Sequence, residues 1–254
     1  MSDSMLDDLQ KLKGERIAKR IARSGVCSRR AAEKLIEEER VTVDGNVVTT
    51  PATIVTDRSS IKIDGELLKD SERTRLWLFH KPRGIITSHK DTHGRETVFD
   101  LLHPDLPRVI SVGRLDYNTE GLILLTNDGE LSRYLELPET AWVRRYRARV
   151  YGKVKMRALE GLKNGSVING VEYGPITVEH DKNQSKGHNN WLTLSLKEGK
   201  NREIRKVLES FNLKVNRLIR LSYGPFHLGN LPESQTKEVA YKVLQEQIDS
   251  QYIK

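Results

Sequence analysis

An aspartate lies in a polar, glycine-bounded segment where a fixed scaffold could present its carboxylate to a ligand. Asp116 follows an apolar run at 109–112 and precedes another at 122–126. Both runs predict buried strands, so the segment between them is predicted to be a loop. A loop carboxylate can act as a nucleophile or a base, and it can equally cap a turn. From residue type and position alone, turn capping is the commoner role.

Two other segments offer a cation and an aromatic ring that could act together with the Asp116 carboxylate. Apolar residues recur at helical spacing over 204–211, and Arg205 lies on a flanking face of that predicted helix. A guanidinium next to a buried carboxylate favours the charged form of the acid and can orient it. Tyr146 occupies the inner face of a predicted strand, where its ring could stack on a base. A solvated arginine and a core tyrosine are the alternatives.

Composition limits the classes of protein and partner. The 254 residues carry 43 Lys and Arg against 35 Asp and Glu, and the whole excess of +8 lies within residues 75–254. A basic surplus suits a polyanionic partner, although it also serves solubility. The single cysteine, Cys27, excludes an internal disulfide, and the histidines lack metal-ligand spacing, so no metal site is predicted. Without a long apolar run or secretory signal, we expect a soluble protein of the cytoplasm.

The N-terminal part predicts a small module that follows a flexible tail at residues 1–13. Over 14–72 the pattern indicates two short helices and then short strands with tight turns at Asp44-Gly45 and Asp64-Gly65. Six basic side chains fall within 15 residues and could form one cationic side; they are Arg16, Lys19, Arg20, Arg23, Arg29 and Arg30. An ordinary solvated surface is the alternative.

The remainder, 73–254, predicts an α+β domain with a mixed, largely antiparallel sheet flanked by helices. Helices are predicted to begin with Asn127 as N-cap, over 204–211, and over 236–248. The strand-like runs are residues 76–79, 109–112, 122–126, 146–150, 176–178, 191–196 and 218–221.

These segments closely resemble bacterial ribosomal RNA pseudouridine synthases, the family typified by small-subunit synthase A and large-subunit synthases B, E and F. The strongest likeness is Gly113-Arg-Leu-Asp116, continued by Thr119, Gly121-Leu122 and the run Leu124–Gly129. Lys81-Pro-Arg-Gly84, Arg145-Tyr-Arg147 and Glu198–Val207 resemble three further family segments. The module at 14–72 resembles the small RNA-binding domain named after ribosomal protein S4.

The resemblance implies that uridine in ribosomal RNA, of the large subunit or its assembly intermediate, is isomerised to pseudouridine. Asp116 would be the catalytic carboxylate, with Tyr146 beside the displaced base and Arg205 as the cationic partner of the aspartate. Arg114 would fill the gap left by the base or contact phosphate. The reaction is an isomerisation, so no cofactor is expected, and no membrane or obligate protein partner is implied. A non-catalytic RNA-binding assembly factor and a synthase acting on transfer RNA are the alternatives.

Overall fold

The computed structural model describes residues 14–253, and it gives side chains outside 182–186. The chain divides into two compact units, one reaching Thr74 and including Pro107–Val109, the other containing Arg75–Leu106 and the chain from Ile110 onward. The boundary expected from the sequence, between 72 and 73, lies two residues from this division. The tail expected at 1–13 lies outside the described residues. None of the described helices is long and apolar enough to cross a membrane.

Unit 1 places two short helices against two small sheets. Helix α1 (Ile17–Arg23) and helix α2 (Arg29–Glu37) contribute an apolar stripe to a core that also receives Val41 and Ile61. The Ser28 hydroxyl caps α2 by accepting a hydrogen bond from the Ala31 N–H at 3.1 Å, as a serine before a helix predicts. The strands are β1 (Glu15–Arg16), β2 (Val41–Val43), β3 (Asn46–Val47), β4 (Ile54–Val55), β5 (Ile61–Ile63) and β6 (Glu66–Leu67).

Both Asp-Gly pairs of unit 1 form the tight turns expected from the sequence. Strands run in the order β3-β2-β5-β6, and β1 pairs with β4. The first turn has φ of 50° at Asp44 and 85° at Gly45, and the second has 52° at Asp64 and 85° at Gly65. Two consecutive positive φ values match the twist of the flanking strands, and Asp-Gly adopts them readily.

Unit 2 is built on one nine-stranded mixed sheet. Its strands are β7 (Leu76–Lys81), β8 (Ile110–Val112), β9 (Glu120–Thr126), β10 (Arg144–Tyr151), β13 (Ile176–Lys186), β14 (Asn189–Leu196), β15 (Lys214–Tyr223), β16 (Phe226–His227) and β17 (Thr236–Glu238). Its principal order is β13-β14-β10-β15-β9-β7-β17, with β8 beside β9 and β16 beside β15. All pairs are antiparallel except β15 with β9, which confirms the predicted α+β class and largely antiparallel sheet. A separate hairpin joins β11 (Ser166–Ile168) to β12 (Val171–Tyr173).

Strand β9 forms the centre of this unit, since all seven of its residues are buried. A core of apolar side chains from β7, β9, β15 and the C-terminal segment surrounds it. The helices are α3 (Gly129–Glu136), α4 (Met156–Leu159), α5 (Glu203–Ser210) and α6 (Tyr241–Gln247). Single 3-10 turns occur at Val98–Leu101, Pro138–Thr140, Glu160–Asn164 and Ser250–Tyr252.

Two predicted helix boundaries were wrong, and tertiary contacts explain both. Asp128, not Asn127, caps α3, because the Asn127 side-chain oxygen instead accepts the N–H of Arg75, the residue before strand β7, at 2.8 Å. The helix expected over 236–248 begins only at Tyr241, because 236–238 pair with β7 and extend the sheet. In each case a partner distant in sequence overrides the local pattern.

Candidate active site

The loop that carries Asp116 is fixed through its backbone carbonyls. It joins β8 to β9, and each carbonyl from 115 to 119 accepts a hydrogen bond. The pairs are Thr87 Oγ1 to Leu115 O at 3.1 Å, Thr119 N–H to Asp116 O at 3.0 Å, Gly84 N–H to Tyr117 O at 2.8 Å, Arg205 Nη2 to Asn118 O at 2.8 Å, and Lys81 Nζ to Thr119 O at 2.9 Å. Such a loop holds its carboxylate in one position before any ligand arrives.

A buried lysine is one of these donors. Lys81 is fully buried at the end of β7, and its ammonium donates to the Pro82 and Thr119 carbonyls. Burial lowers the pKa of Lys81 to about 8, while the negative charges of Asp116 and Glu120 act in the opposite direction. The sequence likeness singled out Lys81 without giving it a role, and the structure places it directly beneath the loop backbone.

Arg205 holds the same loop without forming the expected direct pair with Asp116. Its Nη1 donates to Val215 O at 3.0 Å and its Nη2 to Asn118 O at 2.8 Å, so the guanidinium links the loop to β15. Within 14–253, no hydrogen bond or ion pair joins it to the Asp116 carboxylate. Burial, and then the nearby Arg202, lower the pKa of Arg205, and the charge of Asp116 opposes them. The two charges therefore interact through space, while backbone carbonyls take the donors.

An open cavity of about 850 Å³ lies beside the loop. Asp116, Arg114 and Tyr146 all line it, so the structure brings three of the four predicted site residues of this unit together. Arg205 is not in its wall. Six of the lining side chains are basic and four are acidic. An excess of basic over acidic side chains in this wall suits a negatively charged ligand such as a nucleic acid.

Three neighbouring strands contribute a lateral row of residues to this region. Tyr146 on β10 pairs with Arg220 on β15, and Arg220 pairs in turn with Gly121 on β9. Gly121 has a φ of 103°, and a Cβ there would lie 2.4 Å from the Arg220 carbonyl oxygen. Glycine is therefore required for β9 to approach β15 at this point. The row sets the distance between the tyrosine and the loop that precedes β9.

Several polar side chains in the cavity wall were missed by the sequence reasoning. Arg220, Glu203 and Thr119 are buried, and each has a side-chain atom with no hydrogen-bond partner, namely Arg220 Nη2, Glu203 Oε1 and Thr119 Oγ1. Burial raises the pKa of Glu203. Arg144 donates to the Lys197 and Glu198 carbonyls and to the Tyr223 hydroxyl. An arginine inside the apolar run 218–221 was the available signal for Arg220, since charged residues are rarely buried.

The arginines on the opposite face of β10 meet neighbouring carboxylates. Arg147 lies 2.8 Å from Asp181, and its guanidinium also covers the Trp191 ring at 4.5 Å from the centroid. Arg145 lies 3.4 Å from Glu179. These ion pairs join β10 to β13 across β14. Strand alternation therefore places Tyr146 on the cavity side and these arginines on the other, as expected.

The basic residues of unit 1 differ in exposure. Arg16, Arg29 and Arg30 are exposed. Lys19 lies 3.7 Å from Glu15, and Arg20 lies 3.5 Å from Asp70, so both are half-buried and ion-paired. The groups most accessible to an anionic partner are therefore Arg16 and the pair at the start of α2.

Comparison with known proteins decides the family. The family described as RNA pseudouridylate synthase matches residues 75–210, and the S4 domain matches 15–59. The chain belongs to the RNA pseudouridine synthase family. It is thus an isomerase with an S4 domain, in agreement with the resemblance seen in the sequence.

Relatives cover nearly the whole chain. An uncharacterized RNA pseudouridine synthase of Rickettsia felis is 48% identical over 231 residues, which are 91% of this chain and 99% of that protein. Ribosomal large subunit pseudouridine synthase B of Pasteurella multocida is 40% identical over 237 residues, 90% of this chain and 68% of that one. A crystal structure of a pseudouridylate synthase matches with a TM-score of 0.64 at 24% identity, covering 92% and 99%. It has the same fold.

Proposed function

We propose that this synthase isomerises one specific uridine of ribosomal RNA in the large subunit or its assembly intermediate, with Asp116 as the catalytic carboxylate. The observation that carries the assignment is the shared cavity: the Asp116 carboxylate and the Tyr146 ring line one basic recess beside a fixed loop. Large-subunit RNA is favoured because relatives named large subunit synthase B align over 84–90% of this chain.

The chemistry requires one anion at the sugar and a recess for the base. The C1′–N1 bond of uridine breaks, the base turns, and C1′ bonds to C5. Asp116 either attacks C1′ or removes a sugar proton, and both routes use the carboxylate as an anion. Positive charges on Lys81 and Arg205 lie close enough to attract it. No atom is added or lost overall, so the reaction needs no cofactor.

The target base must leave its stack to reach this carboxylate. Tyr146 is buried except for 9% of its surface and lies in the cavity wall, where it can stack on the uracil ring. Arg114 is exposed at the loop's entry to the cavity. We assign it to the RNA, either to the space vacated by the base or to a neighbouring phosphate.

Unit 1 supplies RNA affinity in this proposal through Arg16, Lys19, Arg20, Arg29 and Arg30. Phosphate neutralisation releases counterions, so affinity should fall steeply with salt. Neutralising the exposed pair Arg29 and Arg30 to glutamine should weaken RNA binding and reduce the salt dependence, while saturating RNA restores the rate. We place the protein in the cytoplasm, where ribosomal RNA is assembled.

The decisive test is Asp116→Asn. Asparagine keeps the size of the side chain and removes its charge, so conversion of uridine should be abolished while RNA affinity stays nearly unchanged. Asp105→Asn is the matched control, because the Asp105 side chain is 87% exposed on another loop, and it should retain full activity. Pseudouridine is measured in large-subunit, small-subunit and transfer RNA offered separately. An Asp116→Asn protein that still converts uridine would refute the catalytic assignment.

A non-catalytic assembly factor would bind RNA with or without Asp116 and form no pseudouridine. Mapping pseudouridine in ribosomal RNA from cells with and without the gene distinguishes the two functions. The synthase proposal requires one uridine of the large subunit that is modified only when the gene is present. A modified position in transfer RNA would overturn the choice of substrate.

A further inference from the structure

Arg220 is a buried cation that the assignments above leave without a role. It lies on β15 in the cavity wall, and only 3% of its surface is exposed. Its Nε donates to Leu122 O at 2.6 Å, and its Nη2 has no hydrogen-bond partner. No carboxylate lies within ion-pair distance of it in the described chain, 14–253. A buried charge without a counter-ion is costly, which indicates that an anion is present at some stage of the reaction.

The other cations near the cavity are already committed. Arg144 donates to two loop carbonyls and to the Tyr223 hydroxyl. Lys81 and Arg205 donate to carbonyls of the Asp116 loop, and although Arg205 Nε has no partner, Arg205 does not line the cavity. Arg114 is exposed, so water screens its charge. Arg220 is thus the buried guanidinium in the described wall with a donor left over, and it packs 5.2 Å from the Tyr223 ring.

We propose that Arg220 is a catalytic residue that stabilises the uracil anion formed when the C1′–N1 bond breaks. This rests on the proposed function. The bond breaks heterolytically, and its electron pair stays on the base, spread over N1, O2 and O4. The base then turns, C5 supplies the pair for the new C1′–C5 bond, the C5 proton leaves to solvent, and N1 takes up a proton from solvent. Arg220 neither gives nor takes a proton. Its fixed positive charge lowers the energy of the anion.

The lateral row places Arg220 correctly for this role. Arg220 pairs with Tyr146 on one side, where the base would stack, and with Gly121 on the other, five residues after Asp116. The base would therefore lie over the guanidinium while its sugar faces the carboxylate. Because the cation is buried beside a tyrosine, its field is little screened there.

The experiment compares Arg220→Gln and Arg220→Lys with the wild-type protein on two RNAs. One RNA carries uridine at the target and the other 5-fluorouridine, whose fluorine stabilises the departing anion. Disappearance of the N-glycosidic nucleoside is followed in single turnover with saturating enzyme. On uridine, we expect Arg220→Gln to react about 100-fold more slowly, with RNA affinity within about threefold of wild type. On 5-fluorouridine the deficit should shrink at least about tenfold.

Comparing the rate deficits of the variant on the two RNAs separates this role from structural damage, because structural damage slows the conversion of both RNAs equally. If Arg220→Gln does not fold, Arg220→Lys is used for the same comparison of the rate deficits on uridine and 5-fluorouridine. Lysine keeps the positive charge but lacks the fork that reaches both Leu122 O and the base, so a deficit on uridine is still expected. Equal deficits on the two RNAs, or a variant impaired only in RNA affinity, would overturn the proposal. A wild-type protein that converts no RNA would instead refute the proposed function itself.

Discussion

The lowered pKa of the buried Lys81 predicts a pH dependence of the free energy of unfolding that can be measured directly. Its side chain is fully buried, and burial lowers its pKa from 10.5 to about 8. The difference of about 2.5 pKa units corresponds to about 3 kcal/mol between the charged and neutral forms.

The sign follows from proton binding. Between pH 8 and pH 10.5 the unfolded chain keeps the Lys81 proton that the folded protein has lost. The free energy of unfolding therefore rises with pH through this window, relative to a variant that has no titrating group there. We expect wild type to gain about 2–3 kcal/mol over Lys81→Met between pH 7 and pH 10.5. Below pH 8 both states are protonated, so the difference between the two proteins is constant.

The assay is denaturant unfolding of wild type, Lys81→Met and Lys81→Arg at steps of pH. Arginine stays charged throughout, so Lys81→Arg and Lys81→Met should show the same pH dependence although their absolute stabilities differ. The lysine is the only group changed, and other titrating side chains cancel in each comparison. A wild-type advantage that does not change with pH would refute the idea that Lys81 is a buried, weakly basic lysine.

Two other substitutions test the placement of the loop. Gly121→Ala puts a Cβ within 2.4 Å of the Arg220 carbonyl oxygen at a φ of 103°, so it should lower the Tm and abolish most activity. Gly113→Ala has open space around its Cβ and a φ of 65°, in the left-handed region, so it should cost only about 1 kcal/mol. Thermal unfolding compares the pair; equal losses would contradict the close approach of the strands. Arg205→Ala frees the Asn118 carbonyl and should lower the single-turnover rate about 100-fold while circular dichroism shows a folded protein; full activity would remove this residue from the site.

Local patterns predicted the elements of this fold well where one face of a strand or helix is buried. Six of the seven strand-like runs lie within strands, the run 109–112 does so from Ile110 onward, and the stripe over 204–211 forms α5 with Phe211 as its C-cap. Errors occurred where a distant partner decides the outcome. The Asn127 amide binds the start of β7 instead of capping a helix, and 236–238 join the sheet edge. Neither contact is encoded in neighbouring residues.

The site residues that lie in recognisable sequence motifs could be predicted. Family resemblance pointed to Asp116 and Tyr146, and the structure places both in one cavity. Arg205 was expected to bind the carboxylate, because opposite charges are the simplest pairing that a sequence suggests. The structure directs its guanidinium to backbone carbonyls, which have no sequence signature. Arg220 depends on the register of three strands and could not be placed from its own segment.

The five hydrogen-bonded carbonyls from residue 115 to residue 119 fix the backbone of the loop independently of its exposed side chains. Because four of these oxygens accept hydrogen bonds from other segments and the fifth, Asp116 O, accepts one from Thr119 N–H, the side chains at 117 and 118 can change without shifting the backbone at Asp116. Tyr117 is already 47% exposed. Under the proposed function, RNA preference can therefore be altered by exchanging these two side chains while Asp116 keeps its position.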